Sequence, residues 1–172
     1  MASETDIHHR RSIRLKAYDY SQTGLYFLTI CTYERQALFG TIKDGELLLN
    51  DCGRVAHNEW LKTAQIRENI VLHDFVVMPN HLHGIVEIQA GRMPCAPTIG
   101  DLVRGYKSSV TRCIREVQKD TQLRIWQRNY YEHIIRSEAS YLTISEYIQT
   151  NPQRWAEDTY FVADNQHYLE SE

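Results

Sequence analysis

A chain of 172 residues that is 42% hydrophobic and 24% charged is long enough for one domain with a real core. None of its apolar runs approaches the roughly 18 residues that cross a bilayer, and Met1 to His9 is polar where a signal peptide is apolar, so we expect a cytoplasmic protein with no membrane partner. The net charge of −3 at first argues against nucleic acid too, but the uneven distribution of charge weakens that exclusion.

Residues 1–17 read as a flexible arm in which Arg10, Arg11, Arg14 and Lys16 form a basic cluster. Leu25 to Tyr33 is rich in aromatic and β-branched residues and predicts a strand. Phe39 to Lys43 and Glu46 to Leu49 flank Asp44-Gly45, a two-residue hairpin signal. Asn50 or Asp51 can cap a helix through Ile66, with Val55, Trp60 and, less regularly, Leu61 on its apolar side. Ile70 to Met78 is a second strand, and its continuously apolar centre from Phe75 to Met78 expects cover on both faces. Pro79-Asn80 turns the chain, and His81 to Ile88 returns as the next strand. Gln89 to Pro97 is a loop. Thr98 then caps a helix to about Lys119, whose stripe of Ile99, Leu102, Val103, Tyr106, Val110, Cys113, Ile114 and Val117 is core.

Trp126 to Ile135 is a fourth strand region, and Ser137 caps a last helix, Glu138 to Thr150, that Pro152 stops. A second basic stretch runs through Arg104, Lys107, Arg112, Arg115, Lys119, Arg124 and Arg128, whereas residues 157–172 form an acidic tail. The four cysteines, Cys31, Cys52, Cys95 and Cys113, are widely spaced and read as reduced thiols. Without the hairpin and the last helix the order is βαββαβ. We therefore expect an α+β, ferredoxin-like antiparallel sheet with the first and third of its strands central and both long helices on one face.

His81-Leu82-His83 opens the third of those strands. A strand repeats every two residues, so both imidazoles project from one face and can converge on one metal ion while Leu82 enters the core. Tyr147 and Asn151, four apart on the last helix, share a face and have the makings of a nucleophile and a third ligand. A phenol attacking a phosphodiester needs a nearby cation, because its pKa is about 10. Two imidazoles and an amide oxygen form a mixed, open shell that suits Mg²⁺ or Mn²⁺ better than a closed zinc site.

Met78-Pro79-Asn80-His81-Leu82-His83, followed by Trp126-Gln127-Arg128-Asn129-Tyr130-Tyr131-Glu132-His133-Ile134-Ile135-Arg136 and Tyr147-Ile148-Gln149-Thr150-Asn151-Pro152, resembles the IS200-like single-tyrosine transposases of the HUH endonuclease superfamily, in their REP-associated branch. The resemblance covers about residues 18–156. It implies that His81 and His83 are metal ligands, that Tyr147 is the nucleophile, and that Asn151 completes the metal shell where insertion-sequence relatives commonly carry a glutamine. It also implies a strand transferase acting on single-stranded DNA with REP-like hairpins, through a 5′-phosphotyrosine and a free 3′-hydroxyl, with a homodimer as one option.

Arg104, Lys107, Arg128, His133 and Arg136 are the candidate DNA contacts, although each side chain also suits an exposed face. Two other readings stand beside this one. One is a DNA-hairpin-binding protein that keeps the fold without catalysis; the other is a metallohydrolase in which His81 and His83 serve to activate water. Glu132 and His133 lie in the segment before the last helix, but strand position alone does not place them near Tyr147, and no general base is assigned.

Overall fold

The computed structural model describes residues 23–90 and 98–162. The basic cluster of the arm, Cys95 in the loop and the acidic residues after Val162 lie outside the described residues. The elements are β1 (Gly24–Cys31), β2 (Gly40–Lys43), β3 (Glu46–Leu49), α1 (Asp51–Gln65), β4 (Ile70–Met78), β5 (His81–Ile88), α2 (Ile99–Gln118), β6 (Tyr131–Ile135) and α3 (Glu138–Thr150).

A four-stranded antiparallel sheet runs β4-β5-β1-β6, and β2-β3 form a separate hairpin. The fold is the expected α+β arrangement, with β1 and β5 central. Local chemistry explains the boundaries. Asp44 and Gly45 both take positive φ, as a tight hairpin turn requires. The Asn50 side chain accepts from Gly53 N at the start of α1. Thr98 and Asp101 form a reciprocal capping box on α2, and Ser137 caps α3 by accepting from Ser140 N.

Each strand divides its side chains between two faces. Tyr26, Leu28 and Ile30 of β1 and Leu82, Val86 and Ile88 of β5 meet Trp60 of α1 and Leu102, Tyr106 and Val110 of α2 in the main core. Phe27, Val76, Ile85 and Ile135 face the other way and are covered by Ile144, Tyr147 and Ile148 of α3. Phe75 and Val77 join the first set and Val76 the second. The apolar run of β4 is thus covered on both sides although β4 is an edge strand.

Three expectations need correction. Leu61 is 40% exposed and Val117 46% exposed, so the apolar stripes of α1 and α2 are narrower than their residue spacing suggests. The strand expected from Trp126 begins at Tyr131. Trp126 keeps an isolated bridge to Thr32, and the carbonyls of Gln127 and Asn129 accept from Lys107 Nζ at 2.7 and 3.1 Å instead of extending the ladder. β1 stops at Cys31, after which Glu34 and Arg35 turn the chain with positive φ.

Gly84 lies between His83 and Ile85 with its missing side chain toward the core. A Cβ there would come within 2.8 Å of Trp60 Cζ2 and 3.3 Å of Phe75 Cβ. Gly84→Ala should therefore destabilise the fold by about 1–3 kcal/mol, the usual cost of overpacking. Denaturant unfolding measures this, and an unchanged midpoint would mean that Trp60 yields freely.

Candidate active site

β5 presents His81 and His83 on the face that α3 covers, and both are buried, at 0% and 1% exposure. Antiparallel pairing sets His83 beside Thr29 and His81 beside Cys31 of β1. Thr29 Oγ1 and His83 Nδ1 share a hydrogen bond of 2.8 Å, which turns the other ring nitrogen of His83 toward α3. There the Tyr147 hydroxyl lies 3.1 Å from His83 Nε2. Phe27 stacks on the His83 ring at 5.3 Å between centroids and meets Tyr147 edge-on, so both rings are held from one side.

Asn80, in the turn before β5, fixes the second imidazole. Its Nδ2 donates to the carbonyls of Arg35 and Tyr160, which orients the amide and leaves Oδ1 as acceptor. His81 Nδ1 lies 2.8 Å from that oxygen, so it carries the ring proton and His81 Nε2 is a bare lone pair. Among the described residues, this atom is buried without a partner.

Asn151 repeats the pattern at the end of α3. Its Nδ2 donates to Asp158 Oδ2 at 2.5 Å, and among the described residues its Oδ1 is buried without a partner. Two unpaired acceptors are costly in a site closed to water, and both are atoms able to ligate a cation. Asp158 belongs to the segment read from sequence as acidic tail, yet it stands in the site. Its Oδ2 also accepts from the Tyr147 hydroxyl at 3.1 Å, its Oδ1 accepts from Tyr160 N at 2.6 Å, and it clusters with His81 and His83 within 4.8 Å. Tyr160 packs over both imidazoles, 4.8 Å from His81 and 5.7 Å from His83, while Arg35 caps the Tyr160 ring. Two imidazole nitrogens, an amide oxygen and a carboxylate suit a hard divalent ion with open positions.

Burial sets the charge states. It pushes the His83 pKa down to about 4 and that of His81 well below its ordinary value. Both rings are therefore neutral at pH 7, the form that binds a cation. Burial, followed by the Asp158 carboxylate, raises the Tyr147 phenol. At neutral pH this phenol therefore keeps its proton.

Thus His81, His83, Tyr147 and Asn151 come together in one chain. The candidate DNA contacts do not form one group with them. Arg128, His133 and Arg136 are exposed on or beside β6, where His133 pairs with Phe27. Arg104 and Lys107 belong to α2 on the opposite face of the sheet. Arg104 pairs with Asp101, and burial lowers the Lys107 pKa to about 8 while its ammonium donates to carbonyls. Reading the sequence missed Thr29, Asn80, Asp158 and Tyr160. Strand register identifies Thr29, and the Met78-Pro79-Asn80 turn singles out Asn80. Asp158 and Tyr160 lie beyond any periodic element and carry no local signal.

The sequence model described as "Transposase IS200 like" matches residues 22–151, three quarters of the chain. The chain belongs to the IS200-like transposase family. A Haemophilus influenzae protein of uncharacterised function is 44% identical over 174 residues, covering 91% of this transposase-family chain and 95% of the relative. A second Haemophilus influenzae protein, named as a REP-associated tyrosine transposase, is 25% identical over 138 residues, with 78% and 73% covered. Among solved structures, a REP-associated tyrosine transposase bound to a REP hairpin shares the fold. Its TM-score is 0.61 at 20% identity, and the match covers 87% of this chain and 76% of that one.

The depressed imidazoles make a pH prediction. An unfolded histidine titrates near 6.5, above the folded value of about 4 for His83, so the unfolded state binds more protons across that interval. Without added metal, stability should be full above pH 6.5 and fall as pH drops toward 4. Thermal melts across this range test it, with His83→Gln as the comparison. An equal acid loss in that variant would place the effect elsewhere.

Proposed function

We propose that this transposase-family protein is a metal-dependent endonuclease and strand transferase acting on single-stranded, hairpin-containing DNA through Tyr147. The observation that carries the proposal is the 3.1 Å approach of the Tyr147 hydroxyl to His83 Nε2, next to the bare acceptors His81 Nε2 and Asn151 Oδ1. The family supports DNA rearrangement as the process, and the hairpin named for the solved relative supports the substrate class. With DNA as partner, the cytoplasm is its compartment.

His81, His83 and Asn151 would hold Mg²⁺ or Mn²⁺, which would supply a Lewis acid for the phosphate and a positive charge beside the phenol. Tyr147 Oη attacks the scissile phosphorus in line. The ester to tyrosine forms, the P–O3′ bond breaks, and the products are a 5′-phosphotyrosine and a 3′-hydroxyl. His83 Nε2 would be occupied as a ligand, so the phenolic proton would pass to Asp158 Oδ2, 3.1 Å away. Attack by another 3′-hydroxyl reverses the step and joins strands. Tyr147 reaches the histidines of its own chain, so a second copy is not needed to complete the site. Arg128, His133 and Arg136 are the side chains we assign to DNA phosphates.

The test is incubation with hairpin oligonucleotides and Mn²⁺. A covalent, protease-sensitive adduct is expected, and Tyr147→Phe should lower its yield at least 1,000-fold. DNA retained without an adduct would favour a non-catalytic hairpin binder, and cleavage surviving in Tyr147→Phe would favour a hydrolase that activates water. Thr29→Val removes the partner of His83 Nδ1 and should weaken Mn²⁺ binding by about 10–100-fold, as measured by calorimetry. Unchanged affinity would separate Thr29 from the metal shell.

A further inference from the structure

A bulge in β4 carries two polar side chains that the chemistry above does not use. Between the pairs Leu72–Val86 and Phe75–Gly84, β4 has one residue more than β5, and His73 and Asp74 occupy that stretch. Neighbouring residues of a regular strand face opposite sides, but here both reach α3. Asp74 Oδ2 accepts from the Ser145 hydroxyl at 2.5 Å, and Oδ1 accepts from Gln149 Nε2 at 3.3 Å. His73 Nδ1 lies 3.2 Å from the Tyr141 hydroxyl, and its Nε2 lies 3.0 Å from Glu87 Oε2 on β5.

Tyr141, Ser145 and Gln149 recur every four residues and form one line along α3. At about 100° per residue, that line and Tyr147 bound opposite edges of the helix's buried face, with Ile144 and Ile148 between them. The apolar middle is small, with Ile148 resting on Ile85 and Ile135. Aliphatic contacts tolerate a slight roll of the helix, whereas hydrogen bonds are directional and resist it.

We propose that Asp74, assisted by His73, is a positioning residue for the nucleophile. It grips the edge of α3 away from Tyr147 and fixes the helix's rotation, which holds the phenol over the paired imidazoles. The inference rests on the reading of Tyr147 as nucleophile, and the experiment separates the two.

In single-turnover reactions with hairpin DNA and Mn²⁺, Asp74→Ala should slow adduct formation tenfold or more while the Kd for DNA stays within twofold. Asp74→Asn keeps an acceptor for Ser145 and should recover part of the rate. Ser145→Ala, which removes the shorter bond from the helix side, should repeat the loss. Leu142→Ala, on the exposed side of α3, should leave the rate unchanged. Lowered melting temperatures with an unaltered rate would overturn the proposal.

If the wild type forms no adduct, the nucleophile reading fails, and position is read directly instead. In protein labelled with ζ-¹³C tyrosine, the Tyr147 resonance, assigned by its loss in Tyr147→Phe, should move in Asp74→Ala while that of Tyr106 in the main core stays. A stationary Tyr147 resonance would overturn the positioning role.

Discussion

The site depends on two imidazoles being kept neutral and dry between a sheet and a helix. His83 is held through both ring nitrogens, by Thr29 from the neighbouring strand and by Tyr147 from α3. His81 is held through one, by Asn80, and presents the other without a partner. Exposed rings would titrate near neutrality and rotate freely. Burial removes both freedoms and leaves the His81 lone pair fixed and, among the described residues, unsatisfied, which costs stability. The raised phenol of Tyr147 belongs to the same balance, set first by its burial and then by the Asp158 carboxylate beside it.

Each supporting element contributes one thing to this arrangement. The central strands β1 and β5 give a rigid floor whose register sets Thr29 beside His83. The turn at Pro79-Asn80 supplies an amide that orients His81 and ties the Tyr160 carbonyl over the site. α3 brings Tyr147 and Asn151 down together, and the residues after it return Asp158 and Tyr160 across the rings. The absence of a side chain at Gly84 lets Trp60 close the core directly behind the histidine strand.

Much of this could be read from the sequence because it rests on short-range rules. The period of two in β5 separates His81 and His83 from Leu82, the capping residues mark all three helices, and the four-residue spacing aligns Tyr147 with Asn151. What escaped the reading depends on contacts between distant segments. Asp158 follows the last helix in an irregular stretch, so no periodicity distinguishes it from its acidic neighbours. His73 has no ligand-like spacing, and the bulge that turns it toward Tyr141 arises from pairing with β5. Lys107 reads as a basic residue on a helix face, yet its length lets it reach the carbonyls of Gln127 and Asn129 and shorten the strand expected there.

The pairing of Thr29 with His83 and of Cys31 with His81 has an implication for how the molecule avoids error. Slipping β5 by one residue would drive both imidazoles into the oily layer under α1 and α2 and expel Leu82, Val86 and Ile88 to the opposite side. A misregistered chain would forfeit its main source of stability along with its chemistry. Folding thus acts as its own quality control, since a compact molecule with its histidine pair turned into the core is not an available end state.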